Sequence, residues 1–190
     1  MQPDSSLRVH HFEPSSRSNG PGIRAVLWLQ GCTLRCPGCF NPHTHPRKGG
    51  KVLPVETIAK WIGRIARDIE GITLSGGEPL QQMRSVIRLL RLIRSQTDLS
   101  VILFSGYEMA EIQVMPRAQT LLGLIDMLIA GRYVADRRAG RGLVGSENKT
   151  VHCVTNRYTA ADLQSVPDAE VIINPNGTIL ATGITPLRLD

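Results

Sequence analysis

The sequence has no apolar run of the roughly 20 residues that a helix needs to cross a membrane. The best candidate, residues 121–131, carries Asp126 in its middle. The first 20 residues lack the hydrophobic segment of a secretion signal, so we expect a cytoplasmic protein that makes no membrane contact. Internal repeats and low-complexity tracts are also absent. With 190 residues, of which 42% are hydrophobic, the chain can form one globular domain with its own core.

Cysteine is scarce, and its distribution excludes a disulfide framework. Three of the four cysteines, Cys32, Cys36 and Cys39, lie within eight residues. In a reducing compartment this clustering favours metal ligands. Three thiolates leave one position of a tetrahedral zinc ion, or one iron of a [4Fe–4S] cube, without a cysteine ligand. At this point a structural zinc site, with His43 or His45 as its fourth ligand, is still open.

Short apolar runs alternate with helical patterns along the chain. The runs predict strands at 25–29, 72–74, 101–104, 127–129 and 150–154. Apolar residues three and four positions apart predict helices at 58–69 and 83–93, and short helices broken at Pro116. Two last runs, 170–174 and 178–181, flank Pro175-Asn176-Gly177 and predict a hairpin.

This alternation is typical of βαβ units and a mostly parallel sheet. Continuously apolar strands are expected where helices cover both faces of the sheet. A closed eight-unit barrel needs about 250 residues, so we predict an α/β fold with an open partial barrel or a doubly wound sheet. In both cases ligands bind at the carboxyl ends of the strands.

A second motif, Ser75-Gly76-Gly77-Glu78-Pro79, follows the strand at 72–74 and precedes a helix. Its glycines let a ligand approach the backbone closely, and Glu78 can accept hydrogen bonds from an amine or a hydroxyl. Pro79 is allowed in the first turn of a helix. The motif gains weight from its position, one βα unit after the cysteine loop and at the same edge of the sheet.

Together the two motifs carry a family resemblance. C-x3-C-x2-C after the first strand, with Gly-Gly-Glu-Pro after the second, resembles the radical S-adenosylmethionine (SAM) superfamily. The run from Asn19 through Gly31-Cys32 to Asn41 is similar to the activating proteins of anaerobic (class III) ribonucleotide reductases. Ser105-Gly106-Tyr107 and residues 145–149 are similar to later motifs of that family. The similarity covers about residues 7–152.

The resemblance implies an open partial (β/α) barrel of the radical SAM type. It implies one [4Fe–4S] cluster on Cys32, Cys36 and Cys39, and an enzyme that cleaves SAM reductively at the open iron. The residues implied to bind SAM are Gly38, Phe40, Gly76, Gly77, Glu78, Pro79, Ser105 and Asn148. Because Gly38 stands where many members have an aromatic residue, we expect Phe40 to contact the adenine.

The implied partner is a large glycyl radical enzyme, whose glycine would lose its Cα hydrogen atom. A low-potential electron donor such as flavodoxin or ferredoxin is also implied, and no direct binding of nucleic acid is expected. Two alternatives stay open. One is a radical SAM maturase of another protein, peptide or small molecule, and the other is a non-catalytic iron–sulfur or zinc-binding protein.

The resemblance divides the chain into a radical SAM core, residues 1–152, and a C-terminal extension, residues 153–190, packed on the same domain. We expect the extension to lie away from the cysteine loop, and Cys153 to be a small buried core residue.

The net charge of +6 is too spread out to select a partner. Arg84, Arg88 and Arg91 share one side of the helix at 83–93. The simplest interpretation of these three arginines is a solvated helix face, and the sharper one is a docking surface.

Overall fold

The computed structural model describes residues 5–139 and 142–184. The strands are β1 (Ser6–Ser16), β2 (Arg24–Leu29), β3 (Lys51–Pro54), β4 (Gly71–Gly76), β5 (Ser100–Phe104), β6 (Met127–Ala130), β7 (Thr150–Cys153), β8 (Ala169–Ile173) and β9 (Ile179–Gly183). The α-helices are α1 (Val55–Ile65), α2 (Met83–Gln96), α3 (Met109–Gln113) and α4 (Ala118–Leu122).

A seven-stranded sheet runs in the order β3-β1-β2-β4-β5-β6-β7. Its four central strands, β2, β4, β5 and β6, are parallel. The outer strands β1, β3 and β7 pair antiparallel. In the described residues β3 and β7 are free edges at opposite ends of the sheet, so the sheet is open. This confirms the predicted α/β class with an open sheet and a parallel centre.

Strand β1 has no counterpart in the sequence-based prediction. Its pairing with β2 shifts register twice, between Val9 and His11 and between Glu13 and Ser16. Each irregularity changes which face the following side chains point to. The alternation of apolar and polar residues is therefore interrupted, and no period of two is visible along the strand.

The two faces of the sheet are covered differently. The four helices cover one face, where the core contains Leu74, Leu103 and Leu128 of the central strands. The alternate residues Ile102 and Ile129 point to the other face. There they pack against residues of the C-terminal extension, Leu163, Val166 and Ile184. The expectation of helices on both faces is wrong, because a 3₁₀ turn and loops of the extension cover the second face.

The extension also contains the predicted hairpin. Strands β8 and β9 pair antiparallel as a separate two-stranded sheet around the turn at 175–177. The last six residues of the extension, 185–190, lie outside the described part of the chain. One face of the strand pair is open to solvent, with Ile173 72% exposed and Ile179 65% exposed.

Cys153 is exposed rather than buried, so that prediction is wrong. It is the last residue of β7, and β7 is an edge strand of the large sheet. An edge strand has a sheet neighbour on one side only, which leaves the side chain at its end open to solvent.

Asp126, the charged residue inside the apolar run at 121–131, has hydrogen-bond partners that allow its burial. It is buried at the start of β6 and accepts hydrogen bonds from the Val101 amide (2.7 Å), Arg94 Nη2 (2.8 Å) and Thr155 Oγ1 (2.9 Å). Burial raises its pKa, but these three bonds outweigh burial, and the net shift of the pKa is downward. The run is therefore part of the core. In the ranges that the structure describes, no helix is both long and apolar enough to cross a membrane.

Candidate functional site

The carboxyl ends of the parallel strands form one continuous rim. The Gly77 amide donates to the Leu29 carbonyl (2.7 Å), and the Glu78 amide donates to the Gly31 carbonyl (2.9 Å). On the far side of the rim, the Gly131 amide donates to the Ser105 carbonyl (3.1 Å). These bonds fix the segments after β2, β4, β5 and β6 side by side, as the sequence predicts.

A cavity of about 570 Å³ opens at this rim, within the range of small-molecule sites. Eight of the eleven predicted site residues line it: Cys32, Cys36, Cys39, Phe40, Gly76, Gly77, Glu78 and Ser105. The other three, Gly38, Pro79 and Asn148, do not line it. The structure therefore brings the cysteine loop and the Gly-Gly-Glu segment to one space, although they are far apart in sequence.

Backbone hydrogen bonds hold the cysteine loop over the cavity. The Gly31 amide donates to the Thr44 carbonyl (2.7 Å), and the Cys32 amide donates to the His45 carbonyl (3.0 Å). The Asn41 amide donates to Cys39 Sγ (3.4 Å). Because both ends of the loop are fixed, its three cysteines stay on the cavity side.

The three cysteines are free and half-buried, as ligands of a metal centre would be. Burial raises the pKa of the Cys32 and Cys39 thiols, and a metal centre overcomes such a shift because it binds the thiolate form. Within 5–139 and 142–184, no three His, Cys, Asp or Glu side chains are close enough to hold a single metal ion. A [4Fe–4S] cube fits the donor set better, because it takes cysteine thiolates bound to different irons.

At the end of the cysteine loop, Phe40 provides an aromatic side chain and Gly38 has no space for one. The Phe40 ring packs on Tyr133, with ring centroids 4.5 Å apart, and both residues line the cavity. Gly38 has φ +68°, and a Cβ there would lie 2.9 Å from Cβ of Ala135. An aromatic side chain has no room at Gly38, which leaves Phe40 as the aromatic wall. Its contact with adenine stays a prediction.

Glu78 links two strand ends. Its carboxylate accepts hydrogen bonds from the Leu80 amide (2.9 Å), Ser105 Oγ (3.0 Å) and the Gly106 amide (2.7 Å). The side chain is only 1% exposed, and burial raises the pKa of Glu78 against the effect of these bonds. The structure thus uses Glu78 to hold the segment after β5 against the segment after β4.

Glu78→Gln should loosen this connection. The glutamine amide keeps one acceptor oxygen, so one of the donors from Leu80, Ser105 or Gly106 faces an NH₂ group instead. A buried donor without an acceptor costs about 1–3 kcal/mol, and urea unfolding of the metal-free chain should show a loss of stability of that size. Glu56→Gln on α1 is the control, because the ion pair of Glu56 with Arg88 is exposed and its loss should cost clearly less stability. Equal stability of Glu78→Gln and the parent chain would contradict the linking role.

Gly77 has a structural reason to lack a side chain, in addition to the close approach of a ligand that the sequence predicts. A Cβ at Gly77 would lie 2.4 Å from the Gly31 carbonyl oxygen, directly before Cys32. Gly77 therefore allows two strand ends to touch. The approach of a ligand stays a prediction.

Lys149 is a cavity residue to which the sequence assigns no role. Its Nζ donates to the Gly131 carbonyl (2.6 Å). Burial lowers the pKa of Lys149, while Glu78 and the thiols of Cys36 and Cys39 act to raise it. A cation thus stands beside the cysteine loop. The only sequence signal was its place in the motif at 145–149.

Two buried polar atoms near the cavity lack a partner in the described chain, His45 Nε2 and Asn148 Oδ1. His45 lines the cavity, and Asn148 holds its position through a bond from Nδ2 to the Arg132 carbonyl (2.8 Å). Buried polar atoms rarely go unpaired, so His45 Nε2, which belongs to a residue of the cavity lining, can serve a bound ligand.

The C-terminal extension forms one wall of the cavity. Leu180, Thr182 and Ile184 line it, so the expectation that the extension lies away from the cysteine loop is wrong. Asn19 Nδ2 donates to Thr182 Oγ1 (3.0 Å), and Glu170 Oε2 accepts from Ser16 Oγ (2.7 Å). These contacts join segments more than 150 residues apart, and no local pattern predicts such a contact.

The similarity to known proteins is found in the part of the chain before the C-terminal extension. Residues 18–152 match the family model described as a 4Fe-4S single cluster domain. The anaerobic ribonucleoside-triphosphate reductase-activating protein of Vibrio cholerae is 32% identical over 159 residues, covering 78% of this chain and 99% of that protein. The Escherichia coli K12 protein of the same name is 31% identical, covering 77% and 98%. The pyruvate formate-lyase-activating enzyme of Clostridium pasteurianum is 40% identical over 104 residues, covering 53% and 44%.

These matches confirm the predicted radical SAM family and the two cofactors that it uses, a [4Fe–4S] cluster and SAM. They also confirm that the chain is an enzyme. The family model ends at residue 152, so the extension that walls the cavity lies outside it. The chain belongs to the family of the anaerobic ribonucleoside-triphosphate reductase-activating proteins.

Proposed function

We propose that this enzyme generates a glycyl radical on a large partner enzyme, an anaerobic ribonucleotide reductase. One observation carries the proposal. The cysteines of C-x3-C-x2-C and the segment Gly76-Gly77-Glu78 line a single cavity at the carboxyl ends of the parallel strands. The names of the relatives support the same activity, since they are activating proteins of such reductases and of pyruvate formate-lyase.

In this proposal Cys32, Cys36 and Cys39 hold the cluster. The cluster and SAM, when bound, supply a carbon-centred radical that can remove a hydrogen atom from glycine. The residues of the chain itself bind and orient the cluster and SAM and shield them from water. Phe40 and Tyr133 form the aromatic wall, and Glu78 fixes the rim of the cavity. The unpaired atom His45 Nε2, in the lining of the cavity, offers a hydrogen bond to SAM or to the substrate segment.

The test is the appearance of a glycyl radical. The reconstituted enzyme is mixed anaerobically with SAM, dithionite and the purified reductase, and a glycyl radical signal is expected in the electron paramagnetic resonance spectrum. The Cys36→Ala variant should give no signal. Cleavage of SAM without a radical on the reductase would favour a maturase of another substrate. Absence of iron after reconstitution would leave a non-catalytic zinc protein.

The strand pair β8–β9 should matter for this reaction, because it lines the cavity. Leu180→Ser removes an apolar side chain from the wall of the cavity. The yield of glycyl radical should fall about tenfold, as expected for about 1.4 kcal/mol of lost apolar contact. Iron content should not change, since Leu180 lies outside the cysteine loop. The measurement is the radical signal per bound cluster.

The adjacent Ile179 provides a matched control, since it is 65% exposed and belongs to the same strand. Ile179→Ser should keep the parent yield. If both variants keep it, the strand pair is not part of the working cavity.

A further inference from the structure

Arg138 lies behind the wall of the cavity and contacts two parts of that wall. Its guanidinium lies over the Phe40 ring, with Cζ 5.1 Å from the ring centroid. Its Nη2 donates to the Ile184 carbonyl (2.8 Å). Phe40 and Ile184 both line the cavity, whereas Arg138 is not among the described residues that do so. The arginine therefore joins the cysteine loop to the end of the C-terminal extension from outside the cavity.

The backbone at Arg138 is fixed, although the side chain is exposed. Arg138 directly follows a 3₁₀ turn, Ala135–Arg137. It forms an isolated antiparallel bridge with Ser146, and the next amide, of Ala139, donates to the Gly145 carbonyl (3.2 Å). The side chain of Arg138 therefore extends from a defined position beside the segment that contains Gly145 and Ser146.

Three neighbours determine the orientation of the Phe40 ring. Tyr133 packs against it at an interplanar angle of 49°. Gly145 leaves space for the edge of the ring, since a Cβ there would lie 2.8 Å from Phe40 Cε2. Arg138 is the third neighbour. Because Phe40 is still 37% exposed, burial alone does not fix the ring, and its orientation depends on these few contacts.

An arginine can hold both partners of this contact at once, because its guanidinium is planar. The face of the group stacks on an aromatic ring, while the N–H groups at its edge donate hydrogen bonds in the plane. A lysine ammonium carries the same charge but has no such plane. The geometry at Arg138 therefore requires the shape of the guanidinium as well as its charge.

We propose that Arg138 is a positioning residue for SAM, which holds Phe40 as the wall for adenine and ties this wall to the C-terminal extension at Ile184. The inference rests on the predicted contact between Phe40 and adenine. It goes beyond the proposed function, because SAM has to bind whichever substrate the radical meets. Coupling between two sites is reciprocal, so an extension that favours SAM binding is itself held in place by bound SAM.

A double-mutant cycle tests the link between Arg138 and Phe40. SAM is titrated by anaerobic calorimetry into the reconstituted enzyme with its cluster oxidised, so that SAM stays intact, and affinities are compared per bound cluster. Arg138→Ala should weaken SAM binding about tenfold, as expected when a cation–π contact and a hydrogen bond are lost together. Phe40→Leu should weaken it at least as much. In the Phe40→Leu background, Arg138→Ala should add little, because both changes remove the same wall.

Two further variants separate positioning from charge and from general damage. Arg138→Lys keeps the charge but loses the planar group, so it should not restore the affinity of the parent. Arg137→Ala is the matched control, because it removes an exposed arginine at the adjacent position. It should bind SAM like the parent, and the iron content of both variants should equal that of the parent.

Hydrogen exchange, measured by mass spectrometry, tests the link to the extension. In the parent, saturating SAM should slow exchange at the amides of β9 and of Ile184. In Arg138→Ala, also saturated with SAM, most of this slowing should be lost, because the connection from the Phe40 wall to the Ile184 carbonyl is absent. A residue that merely stabilised the fold would change exchange equally with and without SAM.

Several results would overturn the proposal. The affinity results are parent-like SAM binding by Arg138→Ala or Arg138→Lys, additive losses in the double variant, and equal weakening in Arg137→Ala. Equal slowing of β9 exchange by SAM in Arg138→Ala and the parent would overturn it as well. Parent-like affinity of Phe40→Leu would remove the aromatic wall and the proposal with it. The proposed function fails separately, if the parent enzyme with dithionite leaves no glycyl radical on the reductase.

Discussion

Alanine at any one of Cys32, Cys36 or Cys39 should abolish the [4Fe–4S] cluster. Each cysteine supplies one of only three protein ligands, and the described residues place no further Cys beside them to substitute. Anaerobic reconstitution of the parent should give about four irons and four sulfides per chain. The variants should give almost none, and the charge-transfer absorbance of the cluster should disappear with them.

Cys153→Ala is the matched control, because Cys153 is exposed at the end of an edge strand. It should keep the full iron and sulfide content. Stoichiometric zinc without iron in the parent would contradict the cluster assignment, as would loss of the cluster in Cys153→Ala.

Gly77→Ala should damage the site even though it adds a single methyl group. The added Cβ would lie 2.4 Å from the Gly31 carbonyl oxygen, so the two strand ends must separate. Overpacking of this kind typically costs about 1–3 kcal/mol. Since Gly31 precedes Cys32, cluster content and SAM affinity should fall together, the affinity by about tenfold or more. Iron analysis and SAM titration measure the two effects.

Gly63→Ala is the control for Gly77→Ala. Gly63 is exposed on α1, and a Cβ there would meet nothing within 4 Å. Because alanine favours a helix interior over glycine, this variant should gain roughly 0.5–1 kcal/mol of stability. Loss of SAM affinity without loss of cluster in Gly77→Ala would mean that the glycine faces the ligand alone.

The parallel centre of the fold was predictable because its signals are local. Strands β2, β4, β5 and β6 are short apolar runs, and each ends at or near a Gly that turns the chain at the rim. Their common edge then followed from the parallel arrangement alone. The sequence alone therefore predicts that the cysteine loop and Glu78 lie at the same edge of the sheet.

The rest depended on contacts that no local pattern carries. The shifts of register in β1 hide its alternation, and the exposure of Cys153 follows from the edge position of β7. No local pattern predicts the cavity wall that contains Leu180 either. Its strand pair is held by hydrogen bonds from Asn19 and Ser16, which lie near the other end of the chain. The family model ends at residue 152, before this wall, so the family resemblance does not predict it.

The hydrogen bond between Ser16 and Glu170 joins residues 154 positions apart. This separation determines the order in which the parts of the site are completed during synthesis. A ribosome delivers the N-terminal part of a chain first, so the parallel core and its cysteine loop emerge well before β8 and β9. Contacts between such distant segments also form slowly. Before β8 and β9 are synthesised, the three cysteines therefore face a cavity that lacks one wall. That wall is present only when the chain has been synthesised through Ile184.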